Sequence, residues 1–417
     1  MGAADLGGDT PAPIPVVRVK DAGKAEEGMD RLLEVCGGEV ASDSEASDEM
    51  GGWVVSGDWV VISETEADAQ KVVDATEKGS LADDADFQRW TGEAGEPGVI
   101  SMYAAPAAGE YMSRYLGDMA GMGSMFGVPA PGMEFDPETG EFPEIMPDEE
   151  PTVPPELEQA LADFDGAAAT VRFDDGALEV EMASSNYQPD MTENFLGDAG
   201  VELVEGLPDD TVAAFGPGLG EGWAQAMLDY FETTSAGAFD VDELIAEAEA
   251  ETGLDLPADL ETLLGEGVAV AVGSGIDPDA IVNGGPAEAP FGLKIKGDAA
   301  EIRAVLDKVK DPAGPEAAPF LEVTESDGYA VLGTNEDYIA ALAAGGKLGE
   351  TAAYDEVIED DAASVLFLNF NSDDDWLVRV SKDEPELSEN LEPLSAVGAS
   401  GWIDGEVIHG VYKVTTD

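Results

Sequence analysis

Residues suited to nucleophilic or metal chemistry are scarce in this sequence. It contains one cysteine, Cys36, and one histidine, His409. These counts exclude a disulfide framework and any zinc site built from cysteine and histidine ligands. Cys36 lies at an apolar position of a predicted helix, where a free cysteine behaves as a small buried hydrophobe. His409 lies in a predicted terminal hairpin without a serine or cysteine partner suggested by spacing, so a strand histidine is favoured over a general base.

The most unusual local feature is an insertion rich in methionine, proline and glycine, at about residues 105–155. Its residues with helical spacing are Met112, Tyr115, Met119, Met122 and Met125. We interpret this stripe as packing or as a plastic interaction surface for a partner or a membrane surface. The Met-x-x-Met spacing would also suit Cu(I), which prefers soft thioether ligands, but this is the least favoured of the three interpretations. We therefore predict no cofactor and no dedicated metal site.

Carboxylates are too numerous to identify a catalytic pair. Acid–base catalysis needs two carboxyl groups in different environments, and 91 acidic residues produce many coincidental pairs. The acidic runs at 83–86, 136–141 and 373–375 lack the spacing of a calcium-binding loop, so surface turns are favoured and weak divalent-cation binding is the alternative. The glycine-rich stretch at 216–220 leads into a helix but lacks the lysine of a phosphate-binding loop, and Glu221 would repel phosphate.

The acid excess restricts the environment and the partners. With 18 basic residues against 91 acidic ones, the net charge is −73 at pH 7. Such a chain cannot neutralise a phosphate backbone, which argues against nucleic acid, and it is repelled by anionic lipid headgroups. Hydrophobic residues make up 44% of the chain, as in ordinary globular proteins. We expect a solvated acidic surface, like that of halophilic proteins, in a salty or extracytoplasmic medium. The alternative is a binder of multivalent cations or of a basic partner.

Neither a signal peptide nor a spanning helix is predicted from the sequence. Met1 is followed by small and acidic residues, with no basic segment and no apolar core. No stretch approaches the roughly 18 consecutive apolar residues of a membrane helix. The chain as given is therefore expected to be soluble.

Self-comparison predicts an internal duplication. A strand at 17–20 matches one at 293–296, and each is followed by an amphipathic helix. The apolar positions of the two helices, at one constant offset, are Met29, Leu32, Leu33 and Cys36, and Ile302, Val305, Leu306 and Val309. Matching strands and helices continue as far as two hairpins with Asp-Gly turns, at 171–180 and 401–408.

The order of these elements predicts an α+β fold with largely antiparallel sheets and packed helices. We expect two similar repeat units, at 1–190 and 200–417, of which the first carries the insertion at about 105–155. The second unit also has a front section, which the first unit lacks. It contains a strand that ends near Phe215, helices after Trp223 and near Leu260, and one opening at Asp240. The Asp240 helix is expected to bury Val241, Leu244, Ile245 and Ala248.

Several short motifs carry a resemblance to a known family. They are Leu-Pro-Asp-Asp-Thr-Val-Ala from Leu207, Leu-Leu-Gly-Glu-Gly-Val-Ala-Val-Ala-Val from Leu263, Lys-Ala-Glu-Glu from Lys24, and Gly-Ser-Leu-Ala-Asp-Asp from Gly79. The sequence resembles a bacterial family of unknown function that is common in high-GC Gram-positive bacteria. The resemblance implies one N-terminal transmembrane helix followed by a duplicated extracytoplasmic α+β region. This sequence departs from that pattern, since no membrane helix precedes its first unit, and the family supplies no catalytic residues to carry over.

Two functional hypotheses follow from these observations. The first is a non-enzymatic cell-envelope or extracellular protein that binds an unknown protein or envelope partner, or serves as a structural module. Membrane contact would then come only through an anchor absent from this chain. The alternative is a carboxylate- or metal-dependent enzyme with a site between the two repeat units, because duplicated halves can form a cleft.

We predict that the free energy of unfolding rises strongly with added NaCl. Like charges at this density repel one another in the compact state, and the Debye length falls from about 10 Å at 0.1 M salt to about 3 Å at 1 M. Thermal melting curves recorded between low and molar NaCl measure the effect. A melting temperature that does not move would contradict the prediction.

Overall fold

The structure is a computed structural model in which two compact units, Met1–Gln88 and Arg89–Asp417, are each described by themselves. The residues that it describes are 2–4, 6, 12–37, 52–111, 161–174, 176–186, 192–195, 197–234, 241–277, 288–314, 317–371 and 390–416.

The smaller unit is built from short strands and two helices. Its elements are β1 (Gly2–Ala4), β2 (Ala12–Ile14), β3 (Val16–Arg18), α1 (Ala22–Gly37), β4 (Gly52–Ser56), β5 (Trp59–Ser63) and α2 (Glu66–Thr76). β1 pairs with β2, and a three-stranded antiparallel sheet has the order β3-β5-β4. The Thr65 side chain caps α2 by accepting a hydrogen bond from the Asp68 amide. Ile14, Val61 and Ala69 form a small buried core.

In its described residues, the larger unit combines a long sheet with eight α-helices. Its strands are β6 (Ile100–Ala104), β7 (Ala167–Asp174), β8 (Ala177–Ser185), β9 (Ala213–Gly216), β10 (Gly267–Val272), β11 (Phe291–Lys296), β12 (Thr324–Ser326), β13 (Tyr329–Gly333), β14 (Ser364–Asn369), β15 (Leu394–Asp404) and β16 (Val407–Thr416). Its described helices are α3 (Ala85–Glu93, which starts before the unit boundary), α4 (Ala199–Glu205), α5 (Trp223–Thr234), α6 (Val241–Thr252), α7 (Ala258–Leu264), α8 (Ala299–Ala313), α9 (Glu336–Ala344) and α10 (Ala352–Asp355).

All eleven strands belong to one antiparallel sheet of order β12-β13-β11-β10-β9-β14-β15-β16-β8-β7-β6. Two long hairpins, β7–β8 and β15–β16, lie side by side in the half of the sheet that ends at β6. β8 pairs with β16 in continuous register from Ser185 opposite Val407 to Ala177 opposite Thr415. Because side chains alternate between the two faces of a strand, this register decides which residues share a face across the whole sheet.

One face of the sheet is packed against helices along most of its length. We call it the covered face; it carries Glu179, Phe367 and Val411. α4, α9 and α10 bury Val204, Leu342 and Tyr354 against its middle strands. A Cβ atom on Gly398 would lie 2.2 Å from the carbonyl oxygen of Val357, so glycine permits this close packing. Trp90 of α3, which is fully buried, packs against Ala168 and Ala183 at the other end.

The opposite face is packed at one end. There α5, α7 and α8 cover β10, β11 and β13, and Trp223, Ile302 and Leu306 pack with Val268 and Ile295. We call this side of the sheet the apolar face.

The predicted α+β class with largely antiparallel sheets is confirmed. Ile302, Val305 and Leu306 are buried as the helical pattern predicts. One expectation is wrong: Leu244 of α6 is 53% exposed and no residue of α6 is fully buried. The apolar spacing is present, but this helix lies at the outside of its cluster and contacts other helices rather than the sheet. Asp240, its predicted cap, lies outside the described residues.

The duplication stays a prediction. The large sheet takes strands from both of the predicted segments, 1–190 and 200–417. The order β3-β5-β4 of the small sheet matches the order β11-β13-β12 of the large one. Both arrangements also place a cation over an aromatic ring: the Arg18 guanidinium carbon lies 5.9 Å from the Trp59 ring centroid, and Lys294 Nζ lies 4.9 Å from that of Tyr329. In the part of the chain that the structure describes, no helix is both long enough and apolar enough to cross a membrane.

We predict that Tyr354→Phe makes the protein less sensitive to alkali. Burial raises the pKa of the Tyr354 hydroxyl above its ordinary value, so the folded chain binds this proton more tightly than the unfolded chain. The resulting stability is fully present below the unfolded pKa of about 10 and is lost as the pH rises above it. Denaturant unfolding at about pH 7 and about pH 11 measures the loss. It should be smaller in Tyr354→Phe and unchanged in Tyr412→Phe, which alters an exposed ring; equal losses in all three proteins would contradict the prediction.

Candidate functional site

The apolar face carries no charged side chain on the seven strands from β9 to β6, among the described residues. The strand register places these side chains on it: Ile100, Met102, Ala104, Ala167, Ala169, Val171, Phe173, Leu178, Val180, Met182, Ser184, Ala213, Phe215, Ser364, Leu366, Leu368, Val397, Ala399, Gly401, Ile403, Ile408, Gly410, Tyr412 and Val414. Among the side chains in this list, the polar groups are two serine hydroxyls and one tyrosine hydroxyl. The solvent side of an antiparallel sheet is normally polar, so this pattern is unusual.

Many of these side chains are exposed. Phe173 is 73% exposed, Met102 53% and Tyr412 49%, and Phe215 and Leu366 are exposed as well. Extended exposed apolar surfaces of this kind are typical of interaction sites and ligand-binding grooves. The contrast with the rest of the chain, in which 26% of residues are charged, strengthens that interpretation.

A cavity of about 590 Å³ opens on this face. Gly401 lies opposite Gly410 in register, and because glycine has no side chain the sheet surface is lowest at this pair. The larger residues that line the cavity include Met102, Met182, Phe215, Leu366 and Tyr412 of the apolar face, and His409 and Tyr103 are also among the lining residues. No aspartate, glutamate, lysine or arginine is among the lining residues. The volume falls within the range of about 300–1,000 Å³ that is usual for small-molecule sites.

The charged side chains of β7, β8 and β16 lie on the covered face instead. The Arg172 guanidinium donates hydrogen bonds to the carboxylates of Glu179 and Glu181. Lys413 Nζ lies 3.5 Å from Glu179 and 2.5 Å from Glu359. The Glu179 side chain is only 4% exposed. We call these five residues the buried ion network.

The buried ion network holds its cations in the charged form. Burial alone would lower the pKa of Lys413, but the carboxylates of Glu359 and Glu179 outweigh it and raise that pKa above its ordinary value. Burial likewise opposes the charge on Arg172, but the hydrogen bond that its guanidinium donates to Glu181 and the negative charge of Glu179 outweigh burial and raise its pKa. Each buried charge therefore has opposite charges in contact, which is the arrangement of a structural network rather than of a poised acid–base pair.

His409 belongs to the covered face as well. Its ring stacks on Trp402 with centroids 5.0 Å apart and planes at 7°. Nε2 lies 3.9 Å from a carboxylate oxygen of Glu93, and Nδ1 is buried without a hydrogen-bond partner among the described residues. The predicted strand histidine is therefore packed in the sheet, and no serine or cysteine nucleophile is bonded to it in the described structure.

Among the described lysines, Lys294 is the most deeply buried. It is 7% exposed, and burial lowers its pKa. Its Nζ faces the ring of Tyr329, not a carboxylate. A lysine of lowered pKa is a typical nucleophile, but its register opposite Val331 and Ala269 places it on the covered face, away from the cavity.

The other sequence candidates give no site. Met112, Tyr115, Met119, Met122 and Met125 lie outside the described residues, as do the acidic runs at 136–141 and 373–375. Cys36 is in α1, but its side chain is not described. Asp84 accepts a hydrogen bond from the Phe87 amide, as expected of a turn residue. Across the described ranges, no group of three metal-ligating side chains is present.

The glycine-rich stretch at 216–220 has a steric explanation. A Cβ atom on Gly218 would lie 2.8 Å from the carbonyl oxygens of Ala363 and Phe195, and one on Gly216 would lie 2.4 Å from that of Gly200. These glycines allow backbone segments to approach closely. They need no bound phosphate to account for them.

Sequence reasoning missed the residues of the cavity. A local signal existed, because Val365-Leu366-Phe367-Leu368 is apolar at four successive positions and a strand with one solvent face should alternate. Such a run predicts a strand that is apolar on both faces. It does not show which face has no described helix packed against it, since that depends on contacts between distant segments.

We predict that Arg172→Met lowers the free energy of unfolding by about 3–5 kcal/mol, because it leaves the largely buried Glu181 without a counter-charge and Glu179 with Lys413 alone. Arg89→Met is the matched control: Arg89 pairs with Asp165 at the surface, where an ion pair is worth about 1 kcal/mol or less. Adding Glu179→Gln and Glu181→Gln to Arg172→Met should recover part of the stability. Equal destabilisation by Arg172→Met and Arg89→Met, measured by denaturant unfolding at fixed salt, would show that the network is not stabilising.

Comparison with known proteins supplies no assignment: no family model, no curated protein and no solved structure matches this chain.

Proposed function

We propose that this protein is a non-enzymatic binding protein of the cell envelope or extracellular space, and that the cavity on its apolar face holds a small apolar ligand. One observation carries the proposal: an uncharged face with a cavity of about 590 Å³ in a chain of net charge −73. Placing apolar molecules there removes apolar surface from water at roughly 25 cal/mol per Å².

The distribution of charged groups supports binding over catalysis. A carboxylate enzyme needs acids at the site where the substrate sits. Here Glu179 and Glu181 of β8 are paired with Arg172 and Lys413 on the covered face. The cavity opens on the other side of the same sheet. The enzyme hypothesis therefore gains no support from this cavity.

The location outside the cytoplasm is part of the proposal. It is supported by the acidic composition and by the resemblance to a family with an extracytoplasmic α+β region. A binding protein exposed to a salty medium needs a charged, hydrated surface for solubility, and it can confine its apolar surface to the site that binds.

We predict that the uncharged fluorescent probe N-phenyl-1-naphthylamine binds to the folded protein and that Gly410→Val weakens this binding at least ten-fold. A Cβ atom on Gly410 would meet only Met182 Cε at 3.6 Å and Tyr412 Cε2 at 4.0 Å, so the variant should fold while its side chain fills the cavity. Leu366→Glu should weaken binding as well, because it places a charge on the face. Leu244→Glu is the control, since Leu244 is exposed on α6, away from the cavity.

Fluorescence titration measures the affinity, and circular dichroism shows that each variant is folded. Absence of probe binding, or unchanged affinity in both Gly410→Val and Leu366→Glu, would contradict the proposal. A second copy of the chain is the competing occupant of the face. In that case the protein is a dimer by light scattering, Leu366→Glu is a monomer, and the probe does not bind.

A further inference from the structure

The strand at one end of the long sheet has the features of an edge that is open to pairing. β6 is the last strand in the described order of the sheet, and β12 lies at the opposite end. Val99, just before β6, is 67% exposed, and Ile100 and Met102 within it are 55% and 53% exposed. β12 is instead three residues long and polar, with the exposed Glu325 at its centre. Short length and charge protect an edge from pairing, whereas an exposed apolar edge strand invites it.

The hairpins identify the strand that is equivalent to β6. β7–β8 and β15–β16 each close on a turn of two residues. Three positions before the last paired residue of its first strand, each hairpin contacts the strand that precedes it: Val171 lies opposite Ile100 of β6, and Gly401 lies opposite Ser364 of β14. β6 is therefore equivalent to β14, and β6 pairs with β7 as β14 pairs with β15.

The pairing of β8 with β16 has the symmetry that this alignment requires. Under the alignment, Ala177 is equivalent to Val407, and Ser185 is equivalent to Thr415. The structure pairs Val407 with Ser185 and Ala177 with Thr415, so exchanging the two hairpins reproduces the same ladder. This symmetry supports the predicted duplication. The contacts of β14 can therefore guide the interpretation of β6.

The outer edge of β14 is paired, and its partner is β9. Leu366 lies opposite Phe215 in this ladder, and Val365 beside it is 1% exposed. The equivalent positions in β6 are Ser101, which is exposed, and Met102. β9 consists of alanine, phenylalanine and glycine and carries no charge. Within the described strands, β6 differs from β14 in having no neighbour of this kind on its outer side.

We infer that the outer edge of β6 binds an uncharged strand of another polypeptide that resembles β9, antiparallel and in the register that β9 adopts on β14. In that register, the residues equivalent to Gly216 and Phe215 lie opposite Ser101 and Met102. An added strand binds through backbone hydrogen bonds, and its side chains provide the specificity. This inference goes beyond the proposed apolar ligand, because it concerns the edge of the sheet and not its face.

The surroundings of β6 specify the chemistry of this strand. Ile100 and Met102 lie on the apolar face, so the side chains of the added strand next to them should be apolar and extend that face. A charged side chain there would lose its hydration without gaining a counter-charge. A second copy of the chain fits less well than an uncharged strand, because two chains of net charge −73 repel each other.

Binding of a synthetic peptide with the sequence of Asp209–Gly218, which contains β9, tests the inference. Fluorescence anisotropy of the labelled peptide gives the affinity at one salt concentration at which circular dichroism shows folded protein. We expect saturable binding, and roughly ten-fold weaker binding or less of the peptide that carries Ala213→Pro and Ala214→Pro. Successive N–H groups of a strand point to opposite sides, so one of these prolines removes a hydrogen bond to β6. Equal affinity of the two peptides, or no binding of the unmodified one, overturns the inference.

Cross-linking tests the register. All proteins carry Cys36→Ala, which removes the only cysteine. The variants Ser101→Cys and Met102→Cys are each mixed with a peptide that carries Gly216→Cys or Phe215→Cys, activated as a mixed disulfide with 2-thiopyridine. In the inferred register the first variant matches the first peptide and the second variant the second, while crossed combinations point to opposite faces. We expect at least one matched pair to react about ten-fold faster than either crossed combination, since a disulfide requires Cβ atoms about 3.5–4.5 Å apart.

Thr324→Cys in the same background is the control, because Thr324 is exposed on β12, the polar edge at the opposite end of the sheet. It should react with either peptide at the rate of the crossed combinations. Equal rates for the matched, crossed and control combinations overturn the inference. So does a dimer, measured by light scattering, in which Met102→Cys forms disulfide-linked pairs of chains and the peptide fails to bind, since the occupant of the edge is then a second copy.

Discussion

The pairing of β8 with β16 is the contact on which the larger unit depends. It joins two hairpins that lie far apart in the sequence and turns two groups of strands into a single sheet of eleven. The same register places Glu179 opposite Lys413, so the two charges meet on the covered face. It also brings Met182 opposite Gly410 on the other face. A shift by one residue would exchange the two faces of β16 and put a lysine into the apolar cavity.

The described helices do not cover both faces of this long sheet along its whole length. α5, α7 and α8 cover the apolar face over β10, β11 and β13, while the strands from β9 to β6 are apolar there without a described helix above them. The covered face has α3, α4, α9 and α10 along most of the same strands. The cavity is therefore a consequence of topology: one side of the sheet is a core at one end and an exposed apolar surface over the strands from β9 to β6.

Much of the fold follows from local patterns in the sequence, and the site does not. Periodicity predicts α8 and its buried residues, and the Asp-Gly turn predicts the β15–β16 hairpin, because these depend on neighbours in the chain. Phe215, Leu366 and Met102 come from strands that are distant in sequence, so no spacing rule can bring them together. The prediction for α6 failed for the same reason, since spacing shows an apolar stripe but not whether a partner is there to bury it.

The scarcity of bases links the two faces to the acidic surface. Arg172 and Lys413 are two of 18 basic residues, and both are held in the interior by the glutamates of the buried ion network. Because these two bases are buried, they cannot pair with the surface carboxylates, most of which have no basic counter-charge. We therefore expect dissolved cations to screen the repulsion between these carboxylates. The apolar face is free of this repulsion because no described charge lies on it. The same distribution of charge that predicts a salt-dependent surface therefore keeps the described part of one face of the sheet apolar.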